Sequence, residues 1–149
     1  MIHVTCVNKV TKLKQIIKNI EFQTSQRLIK EITDDVENLV CLGQIANGLL
    51  NLSVLHTSCS LMIQENADHT VLKDIKFFLN QIAPEKKYFH SIEGPDDMPA
   101  HLKSMLTQSN LTLSVREKKL VLGSWQGIFL LEHRDAIKRR NVLFHLIGD

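Results

Sequence analysis

The stretch that decides the fold is residues 49–65, Leu-Leu-Asn-Leu-Ser-Val-Leu-His-Thr-Ser-Cys-Ser-Leu-Met-Ile-Gln-Glu. Its first half alternates apolar and polar residues, which is the pattern of a strand with one buried face. Near His56 the apolar residues change to the opposite parity. Such a change is typical of a bulge, or of a strand that leaves one packing layer for another. We therefore predict one long strand, or a strand with a kink.

Strands and helices alternate on either side of this stretch. On its N-terminal side, residues 15–23 predict a strand, residues 27–31 a possible second strand, and residues 36–46 an amphipathic helix that ends at Asn47-Gly48. On its C-terminal side, Asp68 is a suitable N-cap for a helix that ends at Pro84, and Pro99 suits a short helix over residues 98–107. The remaining predicted strands cover residues 111–116, 120–124, 125–132 and 141–147.

This order of elements predicts an α+β fold in which a largely antiparallel or mixed β-sheet packs with a few helices. A length of 149 residues fits a single domain over residues 1–149. The net charge of +2 is too small to indicate nucleic-acid binding, and the basic run Lys138-Arg139-Arg140 is interpreted as a solvated turn between strands.

The sequence also carries expectations about the compartment. It has no apolar run of about 18 residues, so we expect no membrane span. Residues 1–6 lack the pattern of a signal peptide. The three cysteines form no CxxC pair, which favours free thiols in a reducing cytoplasm, with Cys41 as a small core residue.

Residues 88–101 are dense in groups that bind metals or transfer protons. His90 and His101 bracket Glu93, Asp96 and Asp97. Neutral imidazole is the commonest protein ligand for zinc, and either aspartate could be a third ligand or could orient an imidazole. A structural loop, with Asp97 as an N-cap, is an equally good interpretation of the residues alone.

Polar residues recur in the long predicted strand and where it ends. The hydroxyls around His56 suit phosphate oxygens, although a serine- and threonine-rich edge strand explains them slightly better. A Cys59–His56 nucleophile is disfavoured, because residues three apart on a strand point to opposite faces. Asp68 is better explained as a helix cap, whereas Glu65 has no such simple structural role.

Two further groups lie near the C-terminus. Gly123-Ser124-Trp125-Gln126-Gly127 fits either a hairpin turn with a core tryptophan or a ring stacked at a pocket wall. Arg134 could form an exposed ion pair with Glu132, or it could bind a phosphate through two hydrogen bonds.

Taken in order, these motifs resemble the YjbQ-like family, often described as secondary thiamine-phosphate synthases. The motifs are His56-Thr-Ser-Cys-Ser, Glu65-Asn66-Ala-Asp68, Glu93-Gly-Pro-Asp96-Asp97-Met-Pro-Ala-His101, and Gly123-Ser-Trp125-Gln126-Gly127-Ile with Glu132-His-Arg134. The chain departs from the family where Cys59 replaces the usual alanine and His69 a frequent proline.

The resemblance implies a homotrimer with pockets near the subunit boundaries, a phosphorylated small-molecule substrate, and a divalent metal. The metal is expected to be zinc, with magnesium possible for a diphosphate. The metal ligands carried over are His56, His90 and His101. The catalytic residues are Glu65, Asp97 and Glu132. The substrate-binding residues are Ser58, Ser60, Asp68, Trp125, Gln126 and Arg134.

The activity implied by the resemblance couples a hydroxymethylpyrimidine diphosphate to a thiazole phosphate and releases diphosphate. Donors such as Ser58, Ser60 and Arg134 would stabilise the departing charge. One alternative is a metal-dependent hydrolase that uses a His-bound zinc water, with Asp97 or Glu65 as the general base. Another is a non-catalytic trimeric protein that binds a metal or a metabolite.

Overall fold

The computed structural model describes residues 12–149, and its elements alternate much as the sequence predicts. In chain order they are β1 (Lys14–Thr24), β2 (Ile29–Glu31), α1 (Thr33–Leu42), β3 (Gly48–Val54), β4 (Cys59–Glu65), α2 (His69–Ile82), α3 (Asp97–Leu106), β5 (Asn110–Arg116), β6 (Lys119–Leu120), β7 (Gln126–Glu132) and β8 (Lys138–Gly148).

The strands form two sheets that face each other across the main core. One sheet has the order β1-β8-β3-β5-β6 and the other has the order β2-β7-β4, and every pair of named strands is antiparallel. Buried side chains from both sheets meet in one apolar cluster, which includes Leu50, Leu52, Leu61, Ile128 and Phe144. The predicted α+β class with a largely antiparallel sheet is confirmed.

The parity change near His56 marks the point where the chain passes from one sheet to the other. Strand β3 ends at Val54, which pairs with Val142 of the larger sheet. Strand β4 begins at Cys59, which pairs with Glu132 of the smaller sheet. Each half buries its own apolar side chains against the same core, so the parity had to change. The stretch is two strands and not the one long strand predicted, whereas the prediction that the chain leaves one packing layer for another here is correct.

Helix α1 ends earlier than predicted. It stops at Leu42, and the N–H of Gly43 bonds back to the carbonyls of Leu39 and Val40. Gly48 instead begins β3, where an added Cβ would lie 2.1 Å from the carbonyl oxygen of Ile147. The glycine therefore permits close contact between strands, rather than ending a helix.

Three other predictions need correction. The basic run 138–140 is the beginning of β8 and not a turn, and its Arg140 is buried. The strand expected over residues 120–124 contributes only Leu120 to β6. Cys41 is exposed, whereas Cys59 is buried in the core. The first of these errors has a cause that is distant in sequence, because residues 138–140 pair with residues 22–24 of β1.

Helix α2 begins as predicted, since Asp68 Oδ1 accepts a 2.8 Å hydrogen bond from the Thr70 N–H. None of the helices within residues 12–149 is long and apolar enough to cross a membrane. Cys6 and the signal-peptide prediction concern residues outside the described part of the chain.

Candidate functional site

The loop before α3 and the first turns of that helix bring three metal-binding side chains together. Asp97 and His101 are four residues apart on α3, so they project from the same face of the helix. His90 reaches the same point from the loop. One possible ligand atom from each of the three lies within 4.8 Å of the other two. We call these residues the His–Asp cluster.

Hydrogen bonds orient both imidazoles of the His–Asp cluster. His90 Nε2 lies 2.7 Å from Asp97 Oδ2, and His101 Nε2 lies 3.6 Å from the same oxygen. The backbone carbonyl of Thr57 is 3.0 Å from His101 Nδ1. Because a carbonyl only accepts, Nδ1 carries the proton and leaves Nε2 as a lone-pair donor. The side chains of His90 and His101 are 45% and 32% exposed, so the cluster is open to solvent.

Arg134 fixes the carboxylates behind the histidines. Its Nη1 donates to Asp97 Oδ1, its Nε donates to Asp96 Oδ2 at 2.9 Å, and its Nη2 donates to the Glu93 carbonyl at 2.8 Å. Burial raises the pKa of Asp96, but hydrogen bonds from the Asp135 N–H and Arg134 outweigh burial and lower it overall. The guanidinium predicted to bind phosphate is thus already bonded through all three nitrogens.

His56 does not belong to the His–Asp cluster. Its Nε2 accepts a 2.8 Å hydrogen bond from the Asn141 N–H, so that nitrogen already has a partner. Burial, followed by the charge of Arg140, lowers the pKa of His56. His56 and His101 nevertheless line one open pocket of about 380 Å³. Four hydroxyl side chains complete most of its lining, namely Thr57, Ser104, Thr107 and Ser109.

Glu132 lies inside the protein, in a network that uses both of its oxygens. Oε2 accepts hydrogen bonds from Thr24 Oγ1 at 2.5 Å and from Arg140 Nε at 2.6 Å. Oε1 accepts from Arg140 Nη2 at 2.5 Å and from the Arg134 N–H at 2.8 Å. Burial raises the pKa of Glu132, but the bonds from Arg140 and Thr24 outweigh it and lower the pKa overall. This position favours a structural role.

The two serines predicted to bind substrate have protein partners. Ser58 Oγ accepts a 3.1 Å hydrogen bond from Arg140 Nη2. Ser60 is fully buried, 2.8 Å from His133 Nε2, and it accepts a 2.6 Å bond from Thr107 Oγ1. Burial, followed by the charge of Lys103, lowers the pKa of His133 to about 4.

Three further polar side chains near the site were not predicted from the sequence, namely His133, Thr107 and Lys103. His133 lies inside the Glu132–Arg134 motif, which was the only available signal for it. Lys103 lies on α3 and Thr107 directly follows this helix. For this segment the sequence predicted only a short helix.

The remaining predicted residues lie at the other end of the smaller sheet. In the β4–β7 register, Cys59 pairs with Glu132 and Glu65 pairs with Gln126. Six residue steps along a strand span about 20 Å. Glu65 and Gln126 are therefore far from the end of the sheet where Glu132 lies. Asp68 caps α2, and the Trp125 side chain is 64% exposed. A single chain thus places its predicted site residues in two separate groups.

A family model described as "UPF0047 protein YjbQ-like" matches residues 18–149. The chain belongs to this family. It is 41% identical over 128 residues to a UPF0047 protein of Synechocystis sp., covering 85% of this chain and 87% of the relative. It is 43% identical over 120 residues to the UPF0047 protein YjbQ of Salmonella typhimurium, covering 79% and 87% respectively.

Two solved structures share the fold. A YbjQ-like protein of unknown function from Sulfolobus solfataricus superposes with a TM-score of 0.85 at 26% identity, covering 93% of this chain and 100% of that one. A conserved hypothetical protein from Thermus thermophilus gives a TM-score of 0.74 at 36% identity, with 85% and 97% covered. The predicted family is confirmed, and the chemistry has to be argued from the side chains of this chain.

Proposed function

We propose that the chain binds a divalent metal ion at His90, Asp97 and His101 and acts there on a phosphorylated small molecule. The observation that carries the proposal is the His–Asp cluster itself, with its ligand atoms within 4.8 Å of one another at an accessible surface. The adjoining pocket of about 380 Å³ is large enough for a small metabolite.

The donor set suits zinc. Zinc–ligand bonds of about 2.0–2.1 Å in a tetrahedron place neighbouring ligand atoms roughly 3.4 Å apart. His101 Nε2 and Asp97 Oδ2 are 3.6 Å apart, whereas the 2.7 Å hydrogen bond between His90 Nε2 and Asp97 Oδ2 would have to open to admit the ion. The hydrogen bonds of His101 to Thr57 and of Asp97 to Arg134 are the outer contacts that commonly orient metal ligands. Three protein ligands also leave one position open, as catalytic zinc sites do. Asp97 takes the ligand position that we expected His56 to fill.

The reaction proposed is the one implied by the family resemblance. An aminopyrimidine-methyl group would pass from a diphosphate to the nitrogen of a thiazole phosphate, giving thiamine phosphate and diphosphate. When bound, the metal would stabilise negative charge on the departing diphosphate. Hydroxyls lining the pocket, such as those of Thr57 and Ser109, suit phosphate oxygens. Asp97 Oδ2 is hydrogen-bonded to His90, while Arg134 donates to Oδ1 of the same carboxylate and fixes its orientation.

A homotrimer would explain why the predicted site residues lie in two groups. Glu65, Trp125 and Gln126 are separated from the Glu132 end of their own sheet by about 20 Å, which is too far for one small substrate to span. If sites form at subunit boundaries, the Trp125 end of one copy can meet the His–Asp cluster of another. The 64% exposure of Trp125 supports this arrangement, because an exposed indole is available to stack on a pyrimidine.

Metal content and product formation test the proposal together. Purified wild-type protein should bind about one zinc per chain and form thiamine phosphate, whereas Asp97→Asn should do neither. Asp34→Asn, a change in α1, is the matched control and should keep both properties.

Three other results would redirect the proposal. Diphosphate released at the same rate without the thiazole phosphate would identify a hydrolase. Metal binding with no turnover of either substrate would identify a binding protein. Wild-type protein with no metal affinity would refute the site.

A further inference from the structure

A second charged site lies on the other side of α3, and the cation at its centre is Lys103. This side chain is only 3% exposed. Its Nζ donates a 2.6 Å hydrogen bond to Asn80 Oδ1. Among residues 12–149, Lys103 forms no ion pair with a carboxylate. Lysine is almost never this buried without a counter-charge, and an ammonium has three N–H groups to satisfy. Something negative or polar is needed beside it.

Arg27 contributes a second unsatisfied donor. Its Nη2 binds the carboxylates of Glu85 and Asp135, at the outer end of the guanidinium. Its Nε is buried and has no hydrogen-bond partner within residues 12–149. Residues Gln26 and Arg27 both have positive φ, and the Leu28 N–H bonds to the Ser25 carbonyl, so a tight turn fixes the backbone here.

Both donors line one small cavity. Arg27, Lys76, Asn80 and Lys103 share its lining with His133, and its volume is about 20 Å³. A cavity of roughly 10–15 Å³ or more on this measure holds one water-sized atom, so there is room for a single oxygen. Glu132 also lines the cavity, but its two oxygens already accept four hydrogen bonds. The lining therefore carries three cations, Arg27, Lys76 and Lys103, and one carboxylate that is already fully paired, while Glu85 and Asp135 bind Arg27 only through its Nη2.

An open cleft adjoins the cavity and shares Arg27, Ile29 and Lys76 with it. The cleft has a volume of about 320 Å³ and adds Lys73 together with the apolar side chains of Leu28 and Leu72. A ligand could thus place one oxygen of an anionic group inside the cavity and the rest of the molecule in the cleft.

We propose that this cavity and cleft form an oxyanion-binding site for a small molecule with a terminal phosphate or carboxylate, held by Lys103, Arg27 and Lys76. The site is separate from the His–Asp cluster. His101 and Lys103 are two residues apart on α3, which places their side chains about 200° apart around the helix axis. Oxyanion binding therefore does not depend on the proposed metal function.

The test is isothermal titration calorimetry of the full-length protein with inorganic phosphate and, separately, with acetate, in the presence of a chelator. We expect saturable binding of at least one of these anions. Lys103→Met should weaken it by roughly ten- to a hundredfold, because a hydrogen bond to a charged group is lost. Methionine has a similar length and is apolar, so the variant should fold. Lys76→Gln, at an exposed position on α2, should weaken binding severalfold and serves if Lys103→Met does not fold.

Lys119→Gln is the matched control, since Lys119 is exposed on β6 in the other sheet and should bind as the wild type does. If Lys103→Met and Lys76→Gln weaken the binding of acetate alone, the site takes a carboxylate ligand. If they weaken the binding of phosphate alone, it takes a phosphoryl ligand. The proposal is overturned if neither anion binds saturably in the presence of the chelator, or if Lys103→Met and Lys76→Gln bind as tightly as the wild type.

Discussion

Glu132 and Asp97 are both buried carboxylates paired with an arginine, but their surroundings differ in one decisive respect. Glu132 uses both oxygens on donors inside the protein, in four hydrogen bonds. Asp97 gives one oxygen to an arginine and turns the other towards His90 and His101. Those imidazoles reach solvent, whereas every donor around Glu132 except the backbone N–H belongs to a buried side chain.

The difference shows that burial and pairing alone do not identify a functional carboxylate. A buried, fully paired carboxylate holds structure together, and removing it leaves its partner charged and alone. A buried carboxylate with one oxygen facing exposed ligand atoms can accept a metal ion without breaking the structure behind it. The comparison therefore predicts that changes at Glu132 affect stability and that changes at Asp97 affect binding.

The largest effect is expected from Glu132→Ala. It leaves the guanidinium of Arg140, which is only 4% exposed, without its counter-charge. Breaking a buried ion pair in this way costs about 3–5 kcal/mol. Urea unfolding measures the change, with Glu21→Ala as the control, because the Glu21–Arg139 pair is exposed and long at 3.7 Å. If the free energy of unfolding of Glu132→Ala lies within about 1 kcal/mol of the wild-type value, Glu132 does not stabilise the fold as argued here.

Asp97→Asn should change metal affinity more than stability. An amide is nearly the same size and still accepts a hydrogen bond from Arg134, but it is a far poorer ligand than a carboxylate. Losing an outer partner of a metal ligand costs about 10–100-fold in affinity, so losing a ligand should cost at least about 100-fold. Zinc titration at pH 7.5 measures this change. Equal zinc affinity in the variant and the wild type would show that the His–Asp cluster is a hydrogen-bonded loop and nothing more.

The fold was predictable wherever local periodicity reports burial. The parity change near His56 identified a change of sheet, because each strand alternates by residue whatever its partner is. Gly48 was misread as the end of a helix. A glycine is required there because the backbone of β8, about a hundred residues away in sequence, passes too close for a side chain. The run 138–140 was misread as a turn for the same reason, since its strand partner is β1, where Thr24 pairs with Lys138 and Phe22 with Arg140.

The candidate site was predictable in part. His90, Asp97 and His101 lie in one short segment, and their spacing on a loop and a helix was enough to group them. His56 was expected to be the third ligand. Its Nε2 instead accepts a hydrogen bond from the Asn141 N–H of β8, and the residues around His56 do not reveal the position of that strand. Lys103 could not be recognised, because a lysine in a helix is normally solvated.

A third prediction concerns acid sensitivity. The pKa of His133 is lowered from 6.5 to about 4, so between these values the unfolded chain binds a proton that the folded chain does not. Stability must then fall as the pH falls through this window, by about 2 kcal/mol between pH 7 and pH 5. The measurement is urea unfolding at both pH values. His133→Gln should remove most of this pH dependence, whereas His69→Gln, at an exposed position, should not. A wild-type stability that stays level over this range would contradict the buried, neutral state of His133.

The smallest expected effect, from Thr24→Val, tests whether the Glu132 network acts as a unit. Valine has nearly the same shape as threonine but cannot donate the 2.5 Å hydrogen bond to Oε2. The loss should be about 1–2 kcal/mol, at the lower end for a charged acceptor, because Arg140 Nε still donates to that oxygen. Thr112→Val on β5 is the control, because its hydroxyl only accepts a 3.2 Å bond at an exposed position. Combining Thr24→Val with Glu132→Ala completes a double-mutant cycle. If the hydroxyl acts through the carboxylate, Thr24→Val should cost little in a chain that already carries Glu132→Ala. If the two costs simply add, Thr24 stabilises β1 by packing, and the network reduces to the Glu132–Arg140 pair.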